Sequence, residues 1–447
     1  MPRDAPFTQS RKRQNWQRPR WGAQRQVSPD KKRGFLAFLG PGLITGAADD
    51  DPSGIATYSQ VGAQFGFAMS WLLLFSWPLM AAIQEVSARI GRVTGKGIAA
   101  NVGEHYSPWL LRFLVLLLVI ANITNLGADL GAMGAGLWLV IGGSPQLYVV
   151  LLAILCAGLE IFVHYKRYAS ILKWLTLALF AYVGTVLIVG VPWRDVAFHT
   201  LVPHIQWKAD YLVSVVAVLG TTISPYLFFW QASEEAEEER IDPKAKPLLD
   251  APEQAHREIR RIRLDTWTGM GLSNVISWCI IVTTAATLNA HHITDIETSA
   301  QAAQALRPIA GDFAFFVFAC GIVGTGLLAI PVLAGSAAYA LAEMMGWPAG
   351  LSELPHRAKA FYGTIAIGTL LGVGFNFVHI DPIKALFWTA VINGVVAVPL
   401  MIVMMIMTIR PRVMGEFTLP RPLWVMGWVS TAAMTLTVAA MFVTWGQ

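Results

Sequence analysis

Gly46-Ala47-Ala48-Asp49-Asp50-Asp51-Pro52-Ser53-Gly54 stands inside the first long apolar run of this 447-residue chain, and its reading decides the fold. An ionised side chain at mid-membrane costs roughly 2.5–3.5 kcal/mol on insertion scales, so three adjacent carboxylates are untenable on a lipid-facing helix. Pro52 removes an amide donor and clashes with the preceding turn, while Gly54 tolerates non-helical dihedrals. The stretch therefore reads as an unwound segment lining a water-accessible cavity, where freed carbonyls and carboxylates can hold a cation. The competing reading is a loop between two half-spans, or a re-entrant turn, with its acids in solvent. Asp51, beside the proline, is the expected ligand. Asp49 and Asp50 are expected to be solvated or bound to nearby helix ends.

The rest of the chain supports a membrane setting. It is 55% hydrophobic and only 14% charged, where soluble domains carry about 25% charged residues. Apolar runs long enough to cross a bilayer recur throughout, which predicts an all-α polytopic membrane protein with a transporter domain over residues 35–447. Eleven spans are expected, near 35–66, 68–90, 108–141, 146–164, 168–192, 210–240, 264–289, 312–345, 359–378, 382–409 and 422–445. The first, third and eighth are too long for single straight crossings, so breaks, tilts or extensions are expected there. Gly127–Gly136 and Gly321–Gly326 fit close helix contacts. Residues 1–34 read as a disordered basic cytoplasmic tail. Cys156, Cys279 and Cys320 have no metal-ligand or disulfide spacing and read as packed membrane thiols.

Charge sets the expected orientation. Basic clusters fall in Arg11–Arg33, Arg89–Lys96, Lys166–Lys173, Arg257–Arg263, Arg357–Lys359 and Arg410–Arg421. All share one side if the N-terminus is cytoplasmic, which predicts an N-inside, C-outside protein of the cell membrane. The net charge of +5 is thus an orientation signal, and no nucleic-acid partner is expected. An odd count of spans suits two five-span inverted repeats plus an eleventh helix.

Five spans after the first break comes Leu219-Gly220-Thr221-Thr222-Ile223-Ser224-Pro225-Tyr226. Pro225 should leave a carbonyl unbonded at or near Thr221, and Thr221, Thr222 and Ser224 add hydroxyl oxygens. A second broken helix in the corresponding position points to a transporter binding site; a proline kink without a ligand role is the alternative. Together the two breaks offer one carboxylate, hydroxyls and main-chain carbonyls. That set suits hard cations such as Mg²⁺, Ca²⁺ or Mn²⁺.

With these residues the chain resembles the natural resistance-associated macrophage protein (Nramp) family of divalent metal-ion transporters, over roughly residues 35–445. The most specific part is Pro41-Gly-Leu-Ile-Thr-Gly…Asp51-Pro-Ser-Gly-Ile-Ala-Thr57. The resemblance implies a LeuT-type fold, broken at helices 1 and 6. It also implies a metal held by Asp51, by the positions of Gly54 and Ser224, where the family has Asn and Met, and by the carbonyl of Thr221. The family's sixth-span histidines fall at Tyr226 and Gln231. Asp129 matches an acid of the family's proton route, but the acid three residues on is Ala132, and no Lys or Arg lies between Phe361 and Phe377. Loss of the thioether removes a soft ligand, and Gly54 leaves room for an ion that keeps waters, as Mg²⁺ does. The pattern looks like the Nramp-related magnesium transporters, with weakened proton coupling.

Other positions allow two readings each. Asn393, Asn122 and Asn125 could supply site oxygens or make interhelical hydrogen bonds. Glu234–Glu239 could form an acidic exit funnel, but a solvated helix extension balanced by Arg257–Arg263 is the favoured reading. Trp424 and Trp428 read as interfacial or packing aromatics. No nucleophile–base pair, P-loop or dinucleotide fingerprint occurs in a solvent segment, so neither an enzyme nor an ATP-driven pump is expected, and no cofactor. The sequence thus predicts a secondary importer of divalent cations, Mg²⁺ and/or Mn²⁺, without strict proton coupling. The alternatives are a proton-coupled Mn²⁺/Fe²⁺ symporter and, further off, a Na⁺-coupled amino-acid transporter. The expected partners are the cation and the lipid bilayer.

Overall fold

The computed structural model describes residues 41–163, 176–378 and 381–445. The expected tail, the Lys166–Lys173 cluster and the first part of the fifth span lie outside these residues. Twelve helices carry the account that follows: α1 (Pro41–Asp49), α2 (Pro52–Phe65), α3 (Ser70–Thr94), α4 (Pro108–Ile141), α5 (Pro145–Phe162), α6 (Ala209–Thr222), α7 (Pro225–Ile241), α8 (Ala255–Thr287), α9 (Ala314–Met345), α10 (Lys359–Phe375), α11 (Pro382–Thr408) and α12 (Arg421–Thr444).

Many of these helices start in the same way, and the sequence says why. Ser107, Ser144 and Asp381 each precede a proline and accept a backbone N–H of the first turn. A polar side chain satisfies one orphan donor of the new helix, and proline at the first helical position has no donor to lose. Asp51-Pro52 uses the same device at the start of α2.

Among the described residues, eight helical stretches are long and apolar enough to cross a membrane, with Lys359–Phe375 as a shorter ninth. The expected eleven are not contradicted by that count. Residues 52–94 form one stretch because α2 passes into α3 through a 3-10 turn at Gly66–Met69, and part of the fifth span is not described. The long third and eighth spans prove unbroken. At about 1.5 Å per residue, α4 and α9 run ~51 and ~48 Å, beyond a hydrocarbon core of ~30 Å, so tilt or extension absorbs their length.

The core is a bundle in which α1 and α2 pack along α8, α6 along α11, α7 against α3 and α9, and α4 against α9 and α11. Small residues permit the closest crossings. A Cβ on Gly46 would overlap the backbone of Gly269, and one on Gly220 would overlap the carbonyl of Ala390 beside Gly394. The expected glycine stretches also lie at contacts, Gly127 against Gly372 and Phe375, and Gly326 against Met133. α12 lies at the side, on α3, α6 and α11.

Candidate metal-ion site between two broken helices

The first break falls between α1, which ends at Asp49, and α2, which begins at Pro52. Asp51 sits at the break with extended backbone, φ −69° and ψ 170°. Its Oδ1 accepts the Gly54 N–H at 2.7 Å and the Ser53 hydroxyl at 2.6 Å. Its Oδ2 accepts the Asn125 amide of α4 at 3.0 Å and faces the Tyr226 hydroxyl of α7 at 3.2 Å. Tyr226 also lies 3.1 Å from the carbonyl of Ala48, in the last turn of α1. All of these partners are neutral, and Asp51 forms no ion pair among the described residues.

Gly54 stands beside this carboxylate. A Cβ there would lie 3.2 Å from the Tyr58 ring, 3.4 Å from the Asp49 carbonyl and 3.5 Å from Asp51 Oδ1. The second break falls at Ile223-Ser224, between α6 and α7. Ser224 occupies the capping position of α7 but turns back, its hydroxyl donating towards the carbonyls of Thr221 (2.6 Å) and Gly220 (2.9 Å). The expected unbonded carbonyl at Thr221 is therefore already taken by Ser224. Both oxygens keep lone pairs, since a hydroxyl that donates its one proton still accepts. Thr221 Oγ1 gives its proton to Val218 at 2.9 Å and meets the Tyr58 hydroxyl of α2 at 2.9 Å. Tyr58 so links the two breaks.

The neighbouring acids differ from expectation. Asp49 and Asp50 are not solvated but buried against α8. The Ser273 hydroxyl lies 2.7 Å from Asp49 Oδ2 and 2.9 Å from Asp50 Oδ1, and Ser277 lies 3.3 Å from Asp50. Their carboxylates face serines because Gly46 lets α1 close on α8 at Gly269. Asp129 on α4 is fully buried, with no side-chain hydrogen-bond partner among the described residues; the Ser53 amide faces its carboxylate and Asp51 is its charged neighbour.

The remaining expected positions divide. Gln231 is held away from the break by Gln84 (2.6 Å) and Thr266 (2.9 Å). Asn122 makes the interhelical bond, to the Leu333 carbonyl and Ser336, whereas Asn125 joins Asp51. Asn393 is 1% exposed with neither amide atom bonded, and its neighbour Gly394 packs against Gly220 at the α6–α11 crossing. Glu234–Glu239 is not a solvated extension. Glu235 pairs with Arg261 at 2.5 Å, Glu239 lies 3.8 Å from Arg92, and Glu237 accepts the Leu351 and Ser352 amides and the Tyr339 hydroxyl. Three neighbours share the burial: the segment after α9 covers Glu237, α8 covers Glu235 and α3 covers Glu239. Sequence reasoning missed Tyr58, Ser273, Ser277 and Glu160, a buried acid of α5 with both oxygens unpartnered. It also treated Tyr226 only as a lost histidine. Among the described residues no group of three or more His, Cys, Asp or Glu could hold a metal.

Two half-helix pairs, broken beside the buried carboxylate of Asp51 in a helical bundle, define a multi-pass transporter of the LeuT type. Solved structures agree on the fold. The Eremococcus coleocola manganese transporter in complex with an aromatic bis-isothiourea substituted compound matches with TM-score 0.69 at 16% identity, over 93% of this chain and 89% of that one. MhsT in complex with L-phenylalanine matches with TM-score 0.63 at 13% identity, over 93% and 100%. The chain belongs to the natural resistance-associated macrophage protein-like (Nramp) family, whose profile matches residues 42–444. The divalent metal cation transporter MntH of Deinococcus radiodurans is 26% identical over 417 residues, covering 90% of this chain and 88% of the relative.

Proposed function

We propose that this Nramp-family chain imports divalent cations by alternating access, with Mg²⁺ and Mn²⁺ as substrates and without strict proton coupling. The observation that carries the reading is Asp51: a buried carboxylate served by Ser53, Gly54, Asn125 and Tyr226, all neutral, and by no basic side chain among the described residues. A buried charge without a counter-ion is strongly destabilising, and a passing cation supplies one. In this reading Asp51 contributes the charge, Thr221 and Ser224 contribute oxygens, and Gly54 leaves room for retained water. Asn393 would complete the oxygen set. The absence of a thioether or imidazole at the breaks favours hard ions. Related proteins named divalent metal cation transporter and manganese transporter support the substrate class.

Entry down the membrane potential needs no proton. A divalent ion gains about 4.6 kcal/mol per 100 mV, twice the single-charge figure. In this reading the N-terminus is cytoplasmic in the cell membrane, an orientation the basic clusters support. A specific observation favours a second reading, proton-coupled Mn²⁺/Fe²⁺ symport: Asp129 is buried, faces no basic side chain among the described residues and is a neighbour of Asp51. Proteoliposome uptake of Mg²⁺, Mn²⁺ and Cd²⁺ with an internal pH dye separates the two. The leading reading expects Mg²⁺ uptake without acidification. Strict preference for Mn²⁺ over Mg²⁺, or acidification in step with metal entry, overturns it.

A further inference from the structure

A groove of about 940 Å³ runs along the outside of the bundle where α3, α8 and α12 meet. It lies apart from both breaks. Its walls include Trp77, Trp267, Val275 and Met426, and Arg263 and Glu85 stand at one end. Trp77 and Trp267 meet edge to face at 5.9 Å, and Gly271 seats Trp77, since a Cβ there would come within 3.1 Å of the indole nitrogen. The groove therefore has an aromatic floor held by packing.

Its charged end has an excess of cations. Glu85 is 1% exposed and takes Arg89 through two nitrogens, at 2.6 and 3.0 Å, and the Trp267 indole N–H at 2.8 Å. Arg263 reaches the same carboxylate only through Nε at 3.5 Å, and its side chain is 56% exposed. Two guanidinium groups thus share one carboxylate, and exposed Arg421 begins α12 between Pro420 and Pro422, which line the groove. The outer nitrogens of Arg263 form no ion pair among the described residues. A guanidinium fork in this state binds a phosphate through two parallel N–H bonds.

The length fits one ligand class. Arg263 and Val275 are twelve residues apart on α8, about 18 Å at 1.5 Å per residue. Half of a ~30 Å hydrocarbon core is ~15 Å. A cation at one end and an apolar wall one leaflet long match a phospholipid.

We propose that this groove is a binding site for an anionic glycerophospholipid, its phosphate on Arg263 and one acyl chain along Trp267, Trp77 and Val275. The net positive end selects anionic over zwitterionic headgroups. The lipid would brace α8, the helix whose Ser273 and Ser277 hold Asp49 and Asp50 at the first break. The site is independent of which cation is carried.

The test uses the full purified chain and native mass spectrometry with phosphatidylglycerol, phosphatidylcholine or inorganic phosphate added. Wild type should retain phosphatidylglycerol in preference to phosphatidylcholine. Arg263→Gln should lower phosphatidylglycerol occupancy about fivefold, the effect of one basic residue at a membrane surface, and leave phosphatidylcholine unchanged. Val275→Trp, which fills the groove and spares the guanidinium, should lower both. Both sites are exposed, and monodisperse elution of each variant reports folding. Equal retention of the two lipids, wild-type retention in both variants, or full competition by inorganic phosphate alone would each overturn the proposal.

Discussion

The two oxygens of Asp51 are divided: Oδ1 takes the Gly54 amide and Ser53 hydroxyl of its own helix start, and Oδ2 takes Asn125 and Tyr226 from other helices. Asn is as good a helix cap as Asp, so Asp51→Asn should keep the cap and lose the charge. We expect metal uptake at background and thermal stability close to wild type; uptake near the wild-type rate would place the ion elsewhere. Asp51→Ala should lose uptake and also about 1 kcal/mol of stability with the cap. Ser224→Met adds a soft ligand at the second break. The expected outcome in proteoliposomes is a higher Cd²⁺-to-Mg²⁺ uptake ratio, by about tenfold, the equivalent of ~1.4 kcal/mol. An unchanged ratio would remove Ser224 from the set of contacts.

At the scale of elements, the close crossings are the weak points to substitution. Gly220→Ala would drive a methyl into the Ala390 carbonyl on α11, and overpacking of this kind costs about 1–3 kcal/mol. The variant should melt measurably earlier in a fluorescence-detected elution assay; an unaltered melting point would show that α6 and α11 can separate without loss. Both breaks were legible in the sequence because their signals are local: acids, proline and glycine within a few residues. The partners were not. Asn125 lies 74 residues from Asp51, and Ser273 lies 224 residues from Asp49. Which serine of an apolar helix faces inward depends on the bundle and not on its own neighbourhood. The start of α8 shows another limit. Its first turns, Ala255–Arg263, are helical although hydropathy placed the span from 264, because Arg and Glu are good helix formers that carry no apolar signal. The burial of Glu237 depends on the Leu351–Ser352 segment, more than a hundred residues later, and no local pattern announces it.

At the scale of the whole molecule, the proposed uncoupled import would make the membrane potential the driving force. A valinomycin-set potassium potential, negative inside, should accelerate Mg²⁺ entry into proteoliposomes and slow it when reversed. Rates indifferent to the sign of the potential would argue for electroneutral exchange. The division of labour within Asp51 reaches further than any single assay. A helix start that tolerates Asn as readily as Asp lets a coding change of one nucleotide silence the carrier while its architecture persists. Descendants of such a gene could keep a folded, membrane-embedded body after the original task had gone, free to be recruited as a sensor or a scaffold.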